Sequence, residues 1–111
     1  MMINKELLKG STPLLILAML EKRDMYGYEM ITEIEQASAG IFQFKEGTLY
    51  PLLHALEADG LIVSYWSEGV GARRRKYYRI TPRGGSRLAE RKEEWTTYRT
   101  AVERVLGEGQ A

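Results

Sequence analysis

The chain has 111 residues, 44% of them hydrophobic, which suits one domain with a modest core. It contains no cysteine and a single histidine, so disulfides, thiol chemistry and a metal site of ordinary spacing are not expected. Net charge is only +1, but residues 1–70 carry 5 Lys and Arg against 10 Asp and Glu, whereas residues 71–92 carry 9 against 1. The positive charge therefore sits in one block, and residues 93–111 return to a net of −2. The longest apolar run, Leu14–Leu20, has 7 residues, far fewer than the roughly 20 that cross a bilayer. Residues 1–13 lack the apolar run and cleavage site of a signal peptide, so a cytoplasmic chain with no membrane partner is expected.

In chain order, residues 2–9 read as a short helical arm with Ile3, Leu7 and Leu8 on one side. Thr12 followed by Pro13 is an N-cap with proline at the first helical position, predicting a helix to about Arg23. Apolar residues surround its axis, which places it in the core. Asp24–Gly27 reads as a turn. A second helix follows from Tyr28 to about Ala37, with Met30, Ile31 and Ile34 inward and Glu29, Glu33 and Glu35 outward. Ile41–Phe44 alternates briefly, as a short strand would. Residues 46–62, EGTLYPLLHALEADGLI, open a third helix and set Leu49, Leu52, Leu53 and Leu56 along one stripe. Gly60 ends it. Its other side holds Thr48, Tyr50, Pro51, His54 and Ala55, where a helix meant only for water would carry Lys and Glu. Leu61–Ser67 and Arg73–Thr81 form a hairpin, with Tyr78 and Ile80 facing inward and Tyr77 and Arg79 outward. Thr81-Pro82 repeats the capping device and starts a last helix to about Leu106.

That order predicts a mainly α fold with a small β-hairpin, namely a winged helix-turn-helix followed by a long C-terminal helix. Residues 1–81 would be the DNA-binding domain with its N-terminal arm, and residues 82–111 the dimerisation helix. The third helix would enter the major groove of double-stranded DNA and the hairpin would be the wing. Arg73, Arg74, Arg75 and Lys76 follow the glycine-containing loop directly. Four successive cations repel one another unless an anion lies near, and DNA supplies about one phosphate charge per 1.7 Å of duplex. The bland alternative is a solvated turn that happens to be basic.

Four stretches carry a resemblance to a known family: GSTPLLILAML (10–20), YGYEM (26–30), EGTLYPLLHALEADGLI (46–62) and RRRKYYRIT with Pro82 (73–82). Together they resemble the PadR family of bacterial winged-helix transcriptional regulators over nearly the whole chain. Ala72 departs from the proline that many members carry in the wing turn. The single C-terminal helix is similar to that of the smaller subfamily. The resemblance implies a DNA-binding regulator, a repressor rather than an activator, with Thr48 and Tyr50 meeting phosphates or base edges. Lys45 adds a charge beside the positive end of the third helix. The alternative for Tyr50 is a half-buried ring covering the core. His54, one turn further on, either reaches a base or is solvated.

The last helix carries a second functional pattern. Leu88, Trp95 and Val102 are seven apart, as are Arg91, Tyr98 and Val105, and Leu106 widens the seam. A second copy is the natural partner, giving a homodimer and a palindromic operator, the alternative being a helix folded back on its own domain. An indole is large for a two-stranded seam, so Trp95 is expected to splay the helices. Some drug-responsive PadR relatives are similar in placing a tryptophan here, which implies a small aromatic effector stacked at Trp95. The competing reading is a packed interface residue with no ligand. No cofactor is expected. An enzyme would need a nucleophile with its base, paired carboxylates or a metal cluster, and the sequence offers none of these. The alternative function is a winged-helix protein–protein interaction module without sequence-specific DNA binding, whose mark would be a neutral or apolar wing.

Overall fold

The computed structural model describes the backbone of residues 5–68 and 74–108, with side chains in those ranges from residue 10 onward. Within them the chain forms α1 (Lys5–Lys22), β1 (Met25–Tyr26), α2 (Gly27–Ala37), α3 (Glu46–Ala58), β2 (Ile62–Glu68), β3 (Arg74–Ile80) and α4 (Pro82–Leu106). This is the winged-helix plan with a long C-terminal helix. The strands form one antiparallel sheet in the order β1-β3-β2, with Met25 opposite Tyr78 and Trp66 opposite Lys76.

The core forms where α1, α2 and α3 close over the inner face of the sheet. Ile16, Leu17 and Leu20 of α1 meet Met30 and Ile34 of α2, then Leu49 and Leu53 of α3, Ile62 and Tyr78. Burying each such side chain contributes about 1.5–3 kcal/mol relative to leaving it in water. The leucine stripe of α3 behaves as its spacing requires: Leu49, Leu53 and Leu56 are buried and Leu52 packs against them.

Two joints fix how the hairpin and α4 leave the core. At the end of α3, Gly60 takes φ +75. Its N–H donates to the Glu57 carbonyl and that of Leu61 to Leu56, both at 3.0 Å. The left-handed turn suits glycine and points the chain straight into β2. At the start of α4, Thr81 Oγ1 accepts from the Gly84 N–H at 3.0 Å and donates to the Gly60 carbonyl at 2.7 Å. One hydroxyl thus caps α4 and ties it to the end of α3.

Four expectations are corrected. The Thr12-Pro13 pair does not start a helix, because α1 runs through it from Lys5 and takes in residues 5–9 of the expected arm, whose residues 2–4 lie outside the described residues. Thr12 is buried at 3% exposure, and tertiary packing overrides a local cap signal that at Thr81-Pro82 is obeyed. The turn expected at Asp24–Gly27 contains β1, too short to show an alternation of its own. The strand expected at Ile41–Phe44 is irregular chain. Phe44 is buried and Phe42 packs on the core, so the alternation is real, but among the described residues the segment joins no sheet. Leu88, placed on the dimer seam by its heptad spacing, is fully buried within the core of its own chain.

Candidate nucleic-acid interface

Along its length α3 offers an exposed, almost uncharged strip. Gly47, Thr48, Pro51, His54, Ala55 and Ala58 are all exposed and recur at helical spacing. Lys45 stands at the N-cap position, also exposed, with its carbonyl accepting from Thr48 and Leu49 at 3.0 Å. Pro51 lies in the second turn, one turn deeper than the end of a helix normally tolerates. The carbonyl that loses its donor belongs to Gly47, which is exposed and has open space where a side chain would stand. Small residues along this strip let the backbone of α3 approach a neighbour closely.

Tyr50 does not share that strip. Its ring is half-buried against the core and its hydroxyl reaches the first residue of α2: a Cβ on Gly27 would lie 2.5 Å from it. The ring braces α2 against α3 and so sets the angle of the two helices. Burial pushes the Tyr50 hydroxyl above the usual phenol range, with the negative Glu46 adding to it. Burial does the same at Tyr78. Both remain neutral near pH 7.

In the wing, strand alternation divides the basic run between two faces. Arg73 lies outside the described residues. The Arg74 guanidinium sits 5.2 Å over the Trp66 ring, and Lys76 Nζ lies 5.8 Å from the ring of Tyr78. Arg75 is on the other face, 4.5 Å over the Tyr26 ring. Among the described residues none of the three forms an ion pair; those found join Arg23, Arg79, Arg91, Lys92 and Arg99 to carboxylates. Aromatic faces hold a cation without neutralising it. The wing therefore keeps its charge while restricting where that charge points.

Sequence reasoning missed the device that steadies the wing from behind. Tyr26, Tyr77 and Tyr65 form a column across the three strands, Tyr26 edge-on to Tyr77 at 5.5 Å and Tyr77 stacked on Tyr65 at 5.8 Å. At its end, Asp24 accepts from the Tyr65 hydroxyl and from Arg79 Nε and Nη2, the latter two at 3.1 and 2.9 Å. Burial raises the Asp24 pKa, but the bonds from Tyr65 and Arg79 outweigh it, and the carboxyl titrates below its usual range. The column links the start of α2 to the hairpin. Only the register of β1 on β3, across some fifty residues of sequence, could have revealed it.

The outer half of α4 is the other exposed feature. Its first turns dock through Leu88, and Lys92 bonds Glu21 of α1 at 3.2 Å. Beyond that, Trp95 is 47% exposed, Tyr98 60% and Val105 87%, with Val102 and Leu106 also uncovered. The Trp95 and Tyr98 rings stack at 6.3 Å. Tyr98, Ala101, Val102, Val105 and Leu106 line one shallow apolar hollow. No group of three or more potential metal-ligating side chains occurs among the described residues, and no helix there is long and apolar enough to cross a membrane.

Known proteins share this arrangement. A transcriptional regulator from Clostridium thermocellum superposes with a TM-score of 0.84 at 34% identity, over 92% of this chain and 96% of that one. A PadR family transcription regulator from hypervirulent Clostridium difficile R20291 gives 0.77 at 36% identity, over 86% and 98%. The transcriptional regulator Rv3488 of Mycobacterium tuberculosis is 36% identical over 86 residues, 78% of this chain and 77% of that protein. With residues 16–90 matching the transcriptional regulator PadR-like family, the chain belongs to that family, whose members are transcriptional regulators and not enzymes.

Proposed function

We propose that the protein is a homodimeric repressor that binds a palindromic operator and is released by a small, flat aromatic ligand. In this reading the exposed strip of α3 enters the major groove. Lys45 and Thr48 meet phosphates or base edges at its start, and His54 reaches a base one turn on. Tyr50 contributes by bracing α2 and α3 rather than by a free hydroxyl. Arg73, Arg74, Arg75 and Lys76 lie along the phosphates beside that groove. Trp95, Tyr98, Val102, Val105 and Leu106 pair with the same residues of a second copy, which sets two reading helices on one face of the duplex. The Trp95 rings of the two copies flank the ligand, and its binding changes the splay of the α4 helices and hence the half-site spacing. An ordinary coupling of that kind is worth about 1–3 kcal/mol. Such a repressor acts in the cytoplasm.

The observation that carries the DNA reading is the set of wing cations held over aromatic rings with no carboxylate partner among the described residues. A protein-binding wing would have neutral or apolar residues there. Replacing Arg73, Arg74, Arg75 and Lys76 together with alanine is expected to weaken specific and random DNA binding alike. The slope of log K against log salt should flatten by about one per lost phosphate contact on each subunit. Unchanged affinity with an unchanged slope would remove the wing from the interface.

A further inference from the structure

Resting on that reading of the wing, we infer that Trp66 is a DNA-contacting residue, its indole lying against the deoxyribose edges of the duplex between the phosphates met by Arg74 and Lys76. The placement follows from the register. Ile62, Ser64 and Trp66 share one face of the hairpin with Ile80, Tyr78 and Lys76 opposite them. At the base of the hairpin this face is the core face, and Ile62 and Tyr78 are buried. One step further out, Glu57 of α3 accepts from the N–H and hydroxyl of Ser64 at 3.1 and 2.6 Å. Two residues beyond, about 7 Å along the strand, the hairpin has outrun the helices and Trp66 is 58% exposed. The indole therefore faces the same side as α3 without being covered by it.

Trp66 takes no part in the ring-on-ring stacking of the hairpin, and its one aromatic contact among the described residues is with the Arg74 guanidinium. The stacking that steadies the hairpin is on the opposite face, in the tyrosine column. Arg74 stands opposite Glu68 in the ladder, yet its guanidinium lies over Trp66, so the ring carries a positive charge on one face while more than half of the residue stays exposed. Lys76, directly across from Trp66, adds a second cation. A partner for this patch must be anionic and present flat apolar area between its charges. The sugar edges of a duplex, framed by phosphates on either side, meet both requirements. A second wing does not, since it would bring Arg74 and Lys76 against their own copies.

The test uses the full-length protein with Trp95→Phe as background, which leaves Trp66 the only indole. The anisotropy arm is run in parallel on the unsubstituted protein, so that any effect of position 95 on duplex binding is read separately. Titration with a short random-sequence duplex is followed by Trp66 emission and, separately, by anisotropy of the labelled duplex. Emission should be quenched along the same isotherm as anisotropy, and bound duplex should shield Trp66 from acrylamide. In the same background, Trp66→Ala should weaken binding about tenfold per wing while leaving the salt slope intact, because the ring carries no charge. Arg74→Ala should lower both affinity and slope. Trp66→Phe, which keeps a flat ring, should recover most of the affinity if Trp66→Ala folds poorly. Duplex binding with unchanged Trp66 emission and acrylamide access overturns the inference while leaving the wing reading standing. Quenching without any salt-dependent binding would point instead to wing–wing association, and absence of duplex binding altogether overturns both.

Discussion

Gly84 and Gly85 are neighbours in the first turn of α4, yet the structure assigns opposite signs to the same substitution. A Cβ built on Gly84 would lie 2.0 Å from the Leu61 carbonyl oxygen and 2.8 Å from Ile80 Cγ1. Ordinary carbon–oxygen contacts begin near about 3.3 Å, so α4 must move off the sheet by more than about 1 Å. The Leu61 oxygen is not free to swing aside, because it accepts from the Thr81 N–H at 3.0 Å. Moving α4 also stretches the cap from Gly84 N–H to Thr81 Oγ1. Overpacking of this kind costs about 1–3 kcal/mol and a weakened hydrogen bond about 1 more. Against that, alanine gains about 1 kcal/mol over glycine inside a helix. Gly84→Ala should therefore destabilise by about 2 kcal/mol, a fall in Tm of about 10 °C for a domain of this size. Gly85 has open space where its Cβ would go, so Gly85→Ala should raise Tm by a few degrees. Thermal unfolding followed by circular dichroism, at one fixed protein concentration because a dimer melts later when concentrated, separates the two. If Gly84→Ala melts with or above Gly85→Ala, the close approach of α4 to the end of α3 is not what anchors the last helix.

Three further outcomes follow from the same geometry. Val102→Asp with Val105→Asp places charge on the uncovered side of α4 and should leave a monomer by light scattering, one that binds a half-site weakly; a persisting dimer would move the interface elsewhere. Asp24→Asn should cost stability at neutral pH and cost progressively less as pH falls. The native carboxyl titrates below its unfolded value, so its contribution is present above the unfolded pKa and lost as pH drops through the folded one. A penalty independent of pH would show that the Asp24 charge is immaterial. Planar aromatic cations or phenols at micromolar concentration should quench Trp95 and lower operator affinity, with Trp95→Phe removing the quenching; a broad screen with no response would leave Trp95 a packing residue.

Most of the fold was legible because it rests on local chemistry. The four leucines of α3, the left-handed Gly60 and the Thr81-Pro82 cap each declare themselves within a few residues, and each sits where its spacing requires. What failed depended on distant neighbours. Thr12-Pro13 looks the same as Thr81-Pro82 in sequence and differs only in what buries it. Met25 and Tyr26 become a strand only because β3 comes back beside them. At the candidate interface, the basic run of the wing was evident, but its division between two faces and its seating on Trp66, Tyr26 and Tyr78 needed the register. Tyr50 matched a binding motif yet is drawn inward by the space that Gly27 leaves. Leu88 fits a heptad with Trp95 and Val102, but the helix enters its own core for its first turns and leaves it only later.

The central claim is that two copies of this chain read one duplex, each through α3 and its wing. Hydroxyl-radical footprinting of the purified protein on a genomic DNA library, followed by isolation of the protected fragments, tests it most directly. Two protected patches of inverted sequence should appear on one face of the duplex, their centres about one helical turn or a multiple of it apart. Protection that spreads evenly with protein concentration, or a single unpaired patch, would contradict it.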